Sequence, residues 1–273
     1  MKIRIGYELA FDCPQPTPVI LMLNVHASRA RDLAVPDRVV AVPSIPIRHY
    51  VDGYGNQCTR IVAPRGMLHL STDAVITDSG LPDVVNPAAR QTPVDQLPDE
   101  ALLYLLGSRY CETEPLTDFA WQQFSHPATG WSRVQAICDY VHHHIEFGYH
   151  HARSTRTAWE AYQEKKGVCR DYAHLAIALC RCMNIPARYC AGYLSDIAIP
   201  PPYGEMDFAA WFEAFLDGAW YIFDPRNNMP RIGRIPIARG RDAADVAIST
   251  TFGRSTLRSF KVHTDEMREI PTP

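Results

Sequence analysis

The chain has 273 residues, of which 47% are hydrophobic and 21% charged, and its formal net charge is −3. This length is enough for one large domain or two modest ones with complete cores, and the composition is that of a globular protein. The small net charge gives no electrostatic basis for a nucleic-acid or membrane partner, and no apolar stretch approaches the roughly 20 residues of a membrane helix.

The beginning of the chain and its cysteines indicate the compartment. Residues 1–8 contain no apolar run long enough for a signal peptide and have the pattern of a strand. Eight cysteines are scattered along the chain, too sparsely for a disulfide scaffold. We therefore expect a cytoplasmic protein in which most cysteines are reduced, small core residues.

The first third of the chain has the pattern of β structure. Short, partly alternating apolar segments are separated by prolines or by the turn at residues 52–56. The predicted strands are residues 3–11, 19–25, 38–42, 45–51 and 57–63, with a further strand at 68–78. Many short strands with close turns predict a sandwich-like or small-barrel β domain, which we assign to residues 1–81.

After residue 81 the pattern changes from β to mixed α+β. Prolines punctuate residues 82–98, which we interpret as a linker. Helical spacing of apolar residues and later alternating runs then define further elements. The predicted helices are residues 99–106, 116–124, 132–145, one starting near Thr157, and 169–183, and the predicted strands are 187–194, 209–216 and 220–223. We therefore predict an α+β core at residues 99–245, followed by a C-terminal segment at 246–273.

Cys169 lies at the start of the most amphipathic predicted helix and follows Gly167 by two positions. Unpaired backbone N–H groups and the helix dipole stabilise a thiolate at such a position, and Arg170 adds positive charge. A cysteine that merely packs in the core has the same local sequence. Position alone therefore leaves both a nucleophilic and a structural role open.

Residues 209–224 predict a β-hairpin, because Asp217-Gly218 is a strong two-residue turn signal. Counting outward from that turn, Trp211 faces Asp224 across the strands. Position 209 and Asp224 are then diagonal neighbours on one face, about 7–8 Å apart, which suits an imidazole at 209 held by the carboxylate. Ala209 itself faces Arg226. Trp211 is expected either to wall a substrate channel or to pack in the core.

Three separated blocks of sequence carry a family resemblance. They are Cys169 with its helix, the segment from Ile185 to Tyr193, and Ala210-Trp211-Phe212-Glu213 followed by Asp224-Pro225. In this order they resemble the transglutaminase-like superfamily, and more closely the bacterial transglutaminase-like candidate cysteine proteases that carry a β N-terminal region. The resemblance implies a papain-like α+β core, a hydrolase and a Cys-His-Asp catalytic triad.

Carried onto this chain, the resemblance makes Cys169 the nucleophile and Asp224 the orienting carboxylate. In the family the histidine directly precedes the Ala-Trp pair, a position that Ala209 occupies here. A thiol with a free pKa of about 8.5 needs that histidine as base and later as acid. Alanine does neither, and losing one member of such a unit costs several orders of magnitude in rate. Whether Ala209 is natural or engineered stays open.

Other histidines were considered as substitutes for the missing base. His174 lies five positions beyond Cys169, about 140° round an ideal helix, and so points away from the thiol. A histidine-rich group upstream is interpreted as a solvated surface: His142, His143, His144, His150 and His151. The reach of His150 or His151 into the cleft stays open.

We expect neither a metal nor an organic cofactor. Cys180 and Cys182 point about 200° apart on a helix, and the paired-cysteine spacings of zinc sites are absent. A histidine-rich metal site at residues 142–151 is the weaker alternative, because consecutive helical side chains diverge.

The sequence thus predicts a cysteine-nucleophile enzyme, a peptidase, amidase or transamidase, that acts on an amide carbonyl of a peptide or protein. Its acyl-enzyme would form at Cys169, and turnover would be silent or impaired because of Ala209. The alternative is a non-catalytic protein that binds a peptide or protein in the same cleft.

Overall fold

The computed structural model describes residues 1–126, 129–201 and 206–267. The N-terminal third consists of strands, as predicted. They are β1 (Lys2–Cys13), β2 (Thr17–Leu21), β3 (Leu33–Val35), β4 (Val40–Val42), β5 (Arg48–Val51), β6 (Gln57–Ala63) and β7 (Gly66–Thr77). Along β7 every second residue from Leu68 to Ile76 is buried, because alternate side chains of a strand face opposite sides of the sheet.

The α+β part follows with short helices around one long buried helix. The helices are α1 (Asp99–Leu102), α2 (Thr117–Phe124), α3 (Trp131–His144), α4 (Ala158–Glu164) and α5 (Cys169–Cys182). The strands are β8 (Glu146–Phe147), β9 (Lys166–Gly167), β10 (Ala187–Leu194), β11 (Ala209–Leu216), β12 (Ala219–Phe223) and β13 (Arg234–Gly240). The predicted helix at 99–106 is shorter in the structure, since α1 passes into a 3-10 turn at Leu103–Leu105.

Helix α5 is the centre of this part. Every residue from Asp171 to Cys182 is buried, against α3 and α4 on one side and β10 and β11 on the other. The sheet that covers it has the strand order β12-β11-β10-β13. The arrangement confirms a mixed α+β core, and it holds the start of α5 at an edge of the sheet.

The hairpin of β11 and β12 has the predicted register. Leu216 pairs with Ala219 and Phe212 with Phe223, so the two-residue turn is Asp217-Gly218. Both turn residues have positive φ, 49° and 81°, as a type I′ turn requires. Glycine tolerates that conformation without a steric penalty, which explains why the turn forms at this dipeptide.

The C-terminal segment returns to the N-terminal sheets. The last strands are β14 (Ser249–Thr251) and β15 (Thr256–Met267). One sheet has the order β15-β1-β7-β3, with β4 also on β7, and the other has the order β14-β2-β6-β5. The first and the last long strands of the chain are therefore neighbours. The domain boundaries proposed from the sequence stay a prediction.

The N-terminal sheets and the α+β part share one continuous hydrophobic core. Phe208, just before β11, lies at their junction, with its ring centroid 6.5 Å from that of Tyr7, 5.0 Å from Tyr193 and 5.7 Å from Phe260. The β sheets therefore support the segment that leads into Ala209. No helix in the described ranges is long and apolar enough to cross a membrane.

Candidate active site

The start of α5 is held by a buried ion pair. Asp171 Oδ2 accepts the Val168 backbone N–H at 2.9 Å and also a hydrogen bond from Arg156 Nη1 at 3.0 Å. A carboxylate in the first turn of a helix compensates the positive end of its dipole. Gly167 makes room for this contact, because a Cβ there would lie 2.6 Å from the Asp171 side chain. These contacts fix the backbone on which Cys169 is presented.

Cys169 differs from the other cysteines in its exposure. All eight are free thiols, seven are buried, and Cys169 is partly exposed. It lines a pocket of about 130 Å³ together with Phe147, Asp207, Ala209 and Arg226. The thiol is therefore the cysteine that a ligand or reagent can reach.

The thiol is weakly acidic at this position. Burial raises the pKa of Cys169 to about 11; the backbone N–H of Ala210 and the charge of Arg226 act in the opposite direction, and Asp207 and Asp224 add to the rise. The helix N-terminus was expected to stabilise a thiolate, but burial outweighs that effect here. Cys169 is therefore a neutral thiol near pH 7.

Ala209, the first residue of β11, lines the same pocket as Cys169. The two positions to which the resemblance assigns nucleophile and base are thus brought together, although a methyl group occupies the second. No histidine is among the residues that line this pocket in the described part of the chain. The site therefore brings no imidazole to the thiol.

Asp224 does not line the Cys169 pocket but a neighbouring cavity of about 300 Å³. Its Oδ1 accepts backbone N–H groups of Arg226 at 3.1 Å and Asn227 at 3.0 Å. Its Oδ2 accepts hydrogen bonds from Asn227 Nδ2 at 2.7 Å and Arg234 Nη2 at 3.0 Å. The carboxylate is therefore fully engaged by groups other than a histidine.

Trp211 lies behind the pocket rather than in its wall. Its side chain is only 1% exposed, and the guanidinium carbon of Arg234 lies 4.7 Å from its ring centroid, a cation–π contact. This burial favours core packing for Trp211, and its role in substrate binding stays a prediction. Arg234, for which the sequence holds no local signal, covers the ring.

The alternative histidines lie elsewhere. His174 is buried and stacked on Tyr110 with ring centroids 5.3 Å apart, and its Nε2 accepts the Ala243 N–H at 3.1 Å. Burial holds the pKa of His174 well below its ordinary value. His142 Nδ1 lies 3.0 Å from the carbonyl oxygen of Pro225, to which it donates. His150 belongs to a short 3-10 turn, Tyr149–His151, of which Tyr149 contributes to the pocket.

Four charged residues of the pocket were not predicted as site residues from the sequence. Arg226 and Arg231 line the pocket, as do Asp196 and Asp207. The predicted hairpin register, which sets Arg226 opposite Ala209, was the one signal for Arg226, although the pairing of β11 with β12 in the structure ends at Phe212 and Phe223. Among the described residues no group of three or more His, Cys, Asp or Glu side chains has the arrangement of a metal site.

Comparison with known proteins identifies the core. Residues 118–225 match the family described as the transglutaminase-like superfamily. The chain is also similar to the crystal structure of a candidate cysteine protease from Cytophaga hutchinsonii, with a TM-score of 0.84, 29% identity, and coverage of 100% of this chain and 93% of that one.

Mycobacterial proteins are similar to it in sequence. An uncharacterized protein of Mycobacterium leprae is 24% identical over 230 residues, which cover 81% of each chain. An uncharacterized protein of Mycobacterium tuberculosis is 37% identical over 94 residues, 30% of this chain and 29% of its own. The family match and the Cytophaga structure support, at a coarse level, a cysteine-based enzyme. Residues 118–225 of this chain are thus identified as a transglutaminase-like domain.

Proposed function

We propose that Cys169 is the nucleophile of a peptidase, amidase or transamidase whose turnover is impaired by Ala209. The observation that carries this proposal is that both residues line one pocket, with Cys169 at the start of α5. Peptides or proteins are the proposed substrates, and the cytoplasm is the proposed compartment.

The reaction would proceed through a thioester. The sulfur attacks the amide carbonyl carbon, an S–C bond forms, and the C–N bond breaks as the amine leaves with a proton. Water or a second amine then takes the acyl group and restores the thiol. The backbone N–H of Cys169, the first residue of α5, is the proposed donor to the oxyanion, because the first N–H groups of a helix lack an acceptor within it.

Impairment follows from two features of the pocket. Burial raises the pKa of Cys169 to about 11, so little thiolate is present near neutral pH. No imidazole lines the pocket among the described residues, so the leaving amine lacks the usual proton donor. These same features favour the second candidate, a non-catalytic protein that binds a peptide or protein in this pocket.

An activated ester separates the two candidates. With p-nitrophenyl acetate the leaving group needs no proton, so a nucleophilic Cys169 should become acetylated and release p-nitrophenolate even without a base. Intact-mass and peptide mass spectrometry would locate the acetyl group, with Cys169→Ser as the matched blank. Acetylation of Cys169 faster than of N-acetylcysteine, with each rate divided by the thiolate fraction of its thiol, supports the enzyme. Saturable peptide binding without any acetylation of Cys169 would support the second candidate, a non-catalytic binding protein.

A further inference from the structure

Arg226 is one of the charged residues in the pocket of Cys169. Arg226 and Cys169 line the same pocket, and Arg226 is only partly buried. Its guanidinium carbon lies 4.3 Å from the ring centroid of Phe147, a cation–π contact. Its backbone N–H donates to Asp224 Oδ1 at 3.1 Å, which fixes the main chain at this position. The guanidinium is therefore held in place at the pocket without being enclosed.

Most hydrogen-bond donors of Arg226 remain available. Nη1 donates to Asn227 Oδ1 at 2.6 Å, a neutral amide oxygen. A guanidinium has five N–H donors in a planar fork that matches a carboxylate. Within the described residues Arg226 takes part in no ion pair with a carboxylate. In the described part of the chain it is thus a positioned cation without a carboxylate partner.

Its neighbour Arg231 shows the contrast. Arg231 Nη2 lies 3.2 Å from Asp196 Oδ1 and donates to the Ser195 carbonyl oxygen at 2.7 Å. Arg231 is 6% exposed and is therefore a structural cation whose charge is already compensated. The charges of Arg231 and Asp196 compensate one another. Among the described residues Arg226 has no such ion pair.

Asp207 is the remaining acidic residue of the pocket. It is exposed, and its Oδ1 accepts the backbone N–H of Phe208 at 2.6 Å. Its charge raises the pKa of the Cys169 thiol, whereas the charge of Arg226 lowers it, so the two residues act in opposite directions at the sulfur. Asp207 therefore opposes an anion at its own rim of the pocket, and a ligand carboxylate is favoured on the side of Arg226.

We propose that Arg226 is a specificity-determining residue that binds a carboxylate of the ligand entering the Cys169 pocket. The ligand class is a peptide with an acidic side chain or with a free C-terminal carboxylate. The inference shares its pocket with the proposed function, but it holds equally for an enzyme and for a binding protein.

Two alkylating reagents of nearly equal size provide the test, because iodoacetate carries a carboxylate and iodoacetamide does not. In both reactions the thiolate forms an S–C bond and iodide leaves. We expect the iodoacetate-to-iodoacetamide rate ratio at Cys169 to exceed that of N-acetylcysteine by roughly three- to tenfold at low salt, and to fall as salt is added. A ratio equal to that of N-acetylcysteine would overturn the proposal.

Variants assign the effect to the residue. Arg226→Gln should bring the ratio down to the reference, and Arg226→Lys should keep part of the excess. Arg90→Gln is the matched control, because Arg90 is 84% exposed and pairs at 3.9 Å with Asp217 at the opposite end of the hairpin. An equal fall in Arg90→Gln would mean that net charge, and not Arg226, sets the ratio.

Calorimetric titration with short peptides distinguishes the two sources of the carboxylate and needs no reaction at Cys169. The probes are N-acetyl-alanyl-alanine, N-acetyl-glutamyl amide and neutral N-acetyl-alanyl amide. Tighter binding of the first indicates a chain terminus, and tighter binding of the second an acidic side chain. Equal binding of all three, or tighter binding that survives Arg226→Gln, contradicts the proposal. An inert Cys169 would count against the proposed enzyme alone.

Discussion

Asp224 and Arg234 form a buried ion pair, with Arg234 Nη2 3.0 Å from Asp224 Oδ2 and both side chains at most 3% exposed. Arg234 also pairs with Asp83, at 3.1 Å, from the proline-rich stretch before the core. The resemblance assigns the carboxylate of Asp224 to orienting a histidine, but in the structure this carboxylate is paired with Arg234. Asp224 thus lies next to the Cys169 pocket and also stabilises the surrounding structure through this ion pair.

The first prediction concerns the stability supplied by that pair. Arg234→Met should lower the free energy of unfolding by about 3–5 kcal/mol, because it removes the cation paired with the buried carboxylate of Asp224 and with the partly buried carboxylate of Asp83. Urea unfolding measures the loss. The control is Arg4→Met, which breaks an ion pair with Asp73 whose side chains are 50% and 55% exposed, and it should cost less than about 1 kcal/mol. Equal losses in the two variants would contradict the assignment.

The second prediction concerns the pH dependence of alkylation at Cys169. Since burial raises the pKa of the thiol to about 11, the reactive thiolate grows throughout the accessible pH range. The rate with iodoacetamide should rise about tenfold per pH unit from pH 7 to 10 without levelling off. Mass spectrometry of the labelled protein gives the rate, with Cys169→Ser as blank. A plateau below pH 8 would mean that the site holds a thiolate.

The third prediction concerns Ala209. Ala209→His places an imidazole in the pocket of Cys169 and should raise the rate of acetylation by p-nitrophenyl acetate at pH 7 by about 10²-fold. This increase in rate lies at the low end of the range for general-base catalysis, because Asp224 is paired with Arg234 and is not available to orient the imidazole.

Ala209→Asn is the control for the third prediction, as it adds a polar side chain without a base. A pH profile of the histidine variant should show a new rise near the imidazole pKa of about 6.5. The prediction is wrong if Ala209→Asn raises the acetylation rate as much as Ala209→His does. It is also wrong if Ala209→His folds normally and leaves the acetylation rate unchanged.

The fourth prediction concerns acid stability at His26, where a loop of the N-terminal sheets meets the core. Burial, together with Arg239 and Arg188, lowers the pKa of His26 to about 4. The unfolded chain takes up its proton near pH 6.5, before the folded protein does. The neutral ring therefore contributes stability above about pH 6.5, and this is lost as the pH falls towards 4.

His26→Asn tests that sign. The side chain of His26 accepts the Ser28 N–H at 3.1 Å, and asparagine offers an oxygen in its place. Urea midpoints at pH 7.5 and 4.5 should differ less in His26→Asn than in the unaltered protein. His69→Asn, on the exposed face of β7, should leave the difference unchanged. An identical pH dependence in His26→Asn and the unaltered protein would refute the assignment.

Local sequence determined the helix start at Cys169 and the register of the β11–β12 hairpin. Both depend on neighbouring residues: a helical apolar repeat in one, and a dipeptide that accepts positive φ at both positions in the other. That register predicted position 209 and Asp224 as diagonal neighbours, and the family resemblance then supplied the roles of Cys169 and of position 209. These features were predictable because their signals lie within a few residues of one another.

Tertiary structure decided what the site contains. Arg234 lies ten positions from Asp224 and Asp83 lies far upstream, and nothing local in the sequence indicates that the three side chains meet. The same holds for β15, which pairs with β1 from the other end of the chain. The weak acidity of Cys169 is likewise a property of its burial, since the helix start alone predicts the opposite shift. Long-range packing sets desolvation and charge pairing, so these properties of the pocket follow from the fold rather than from any local motif.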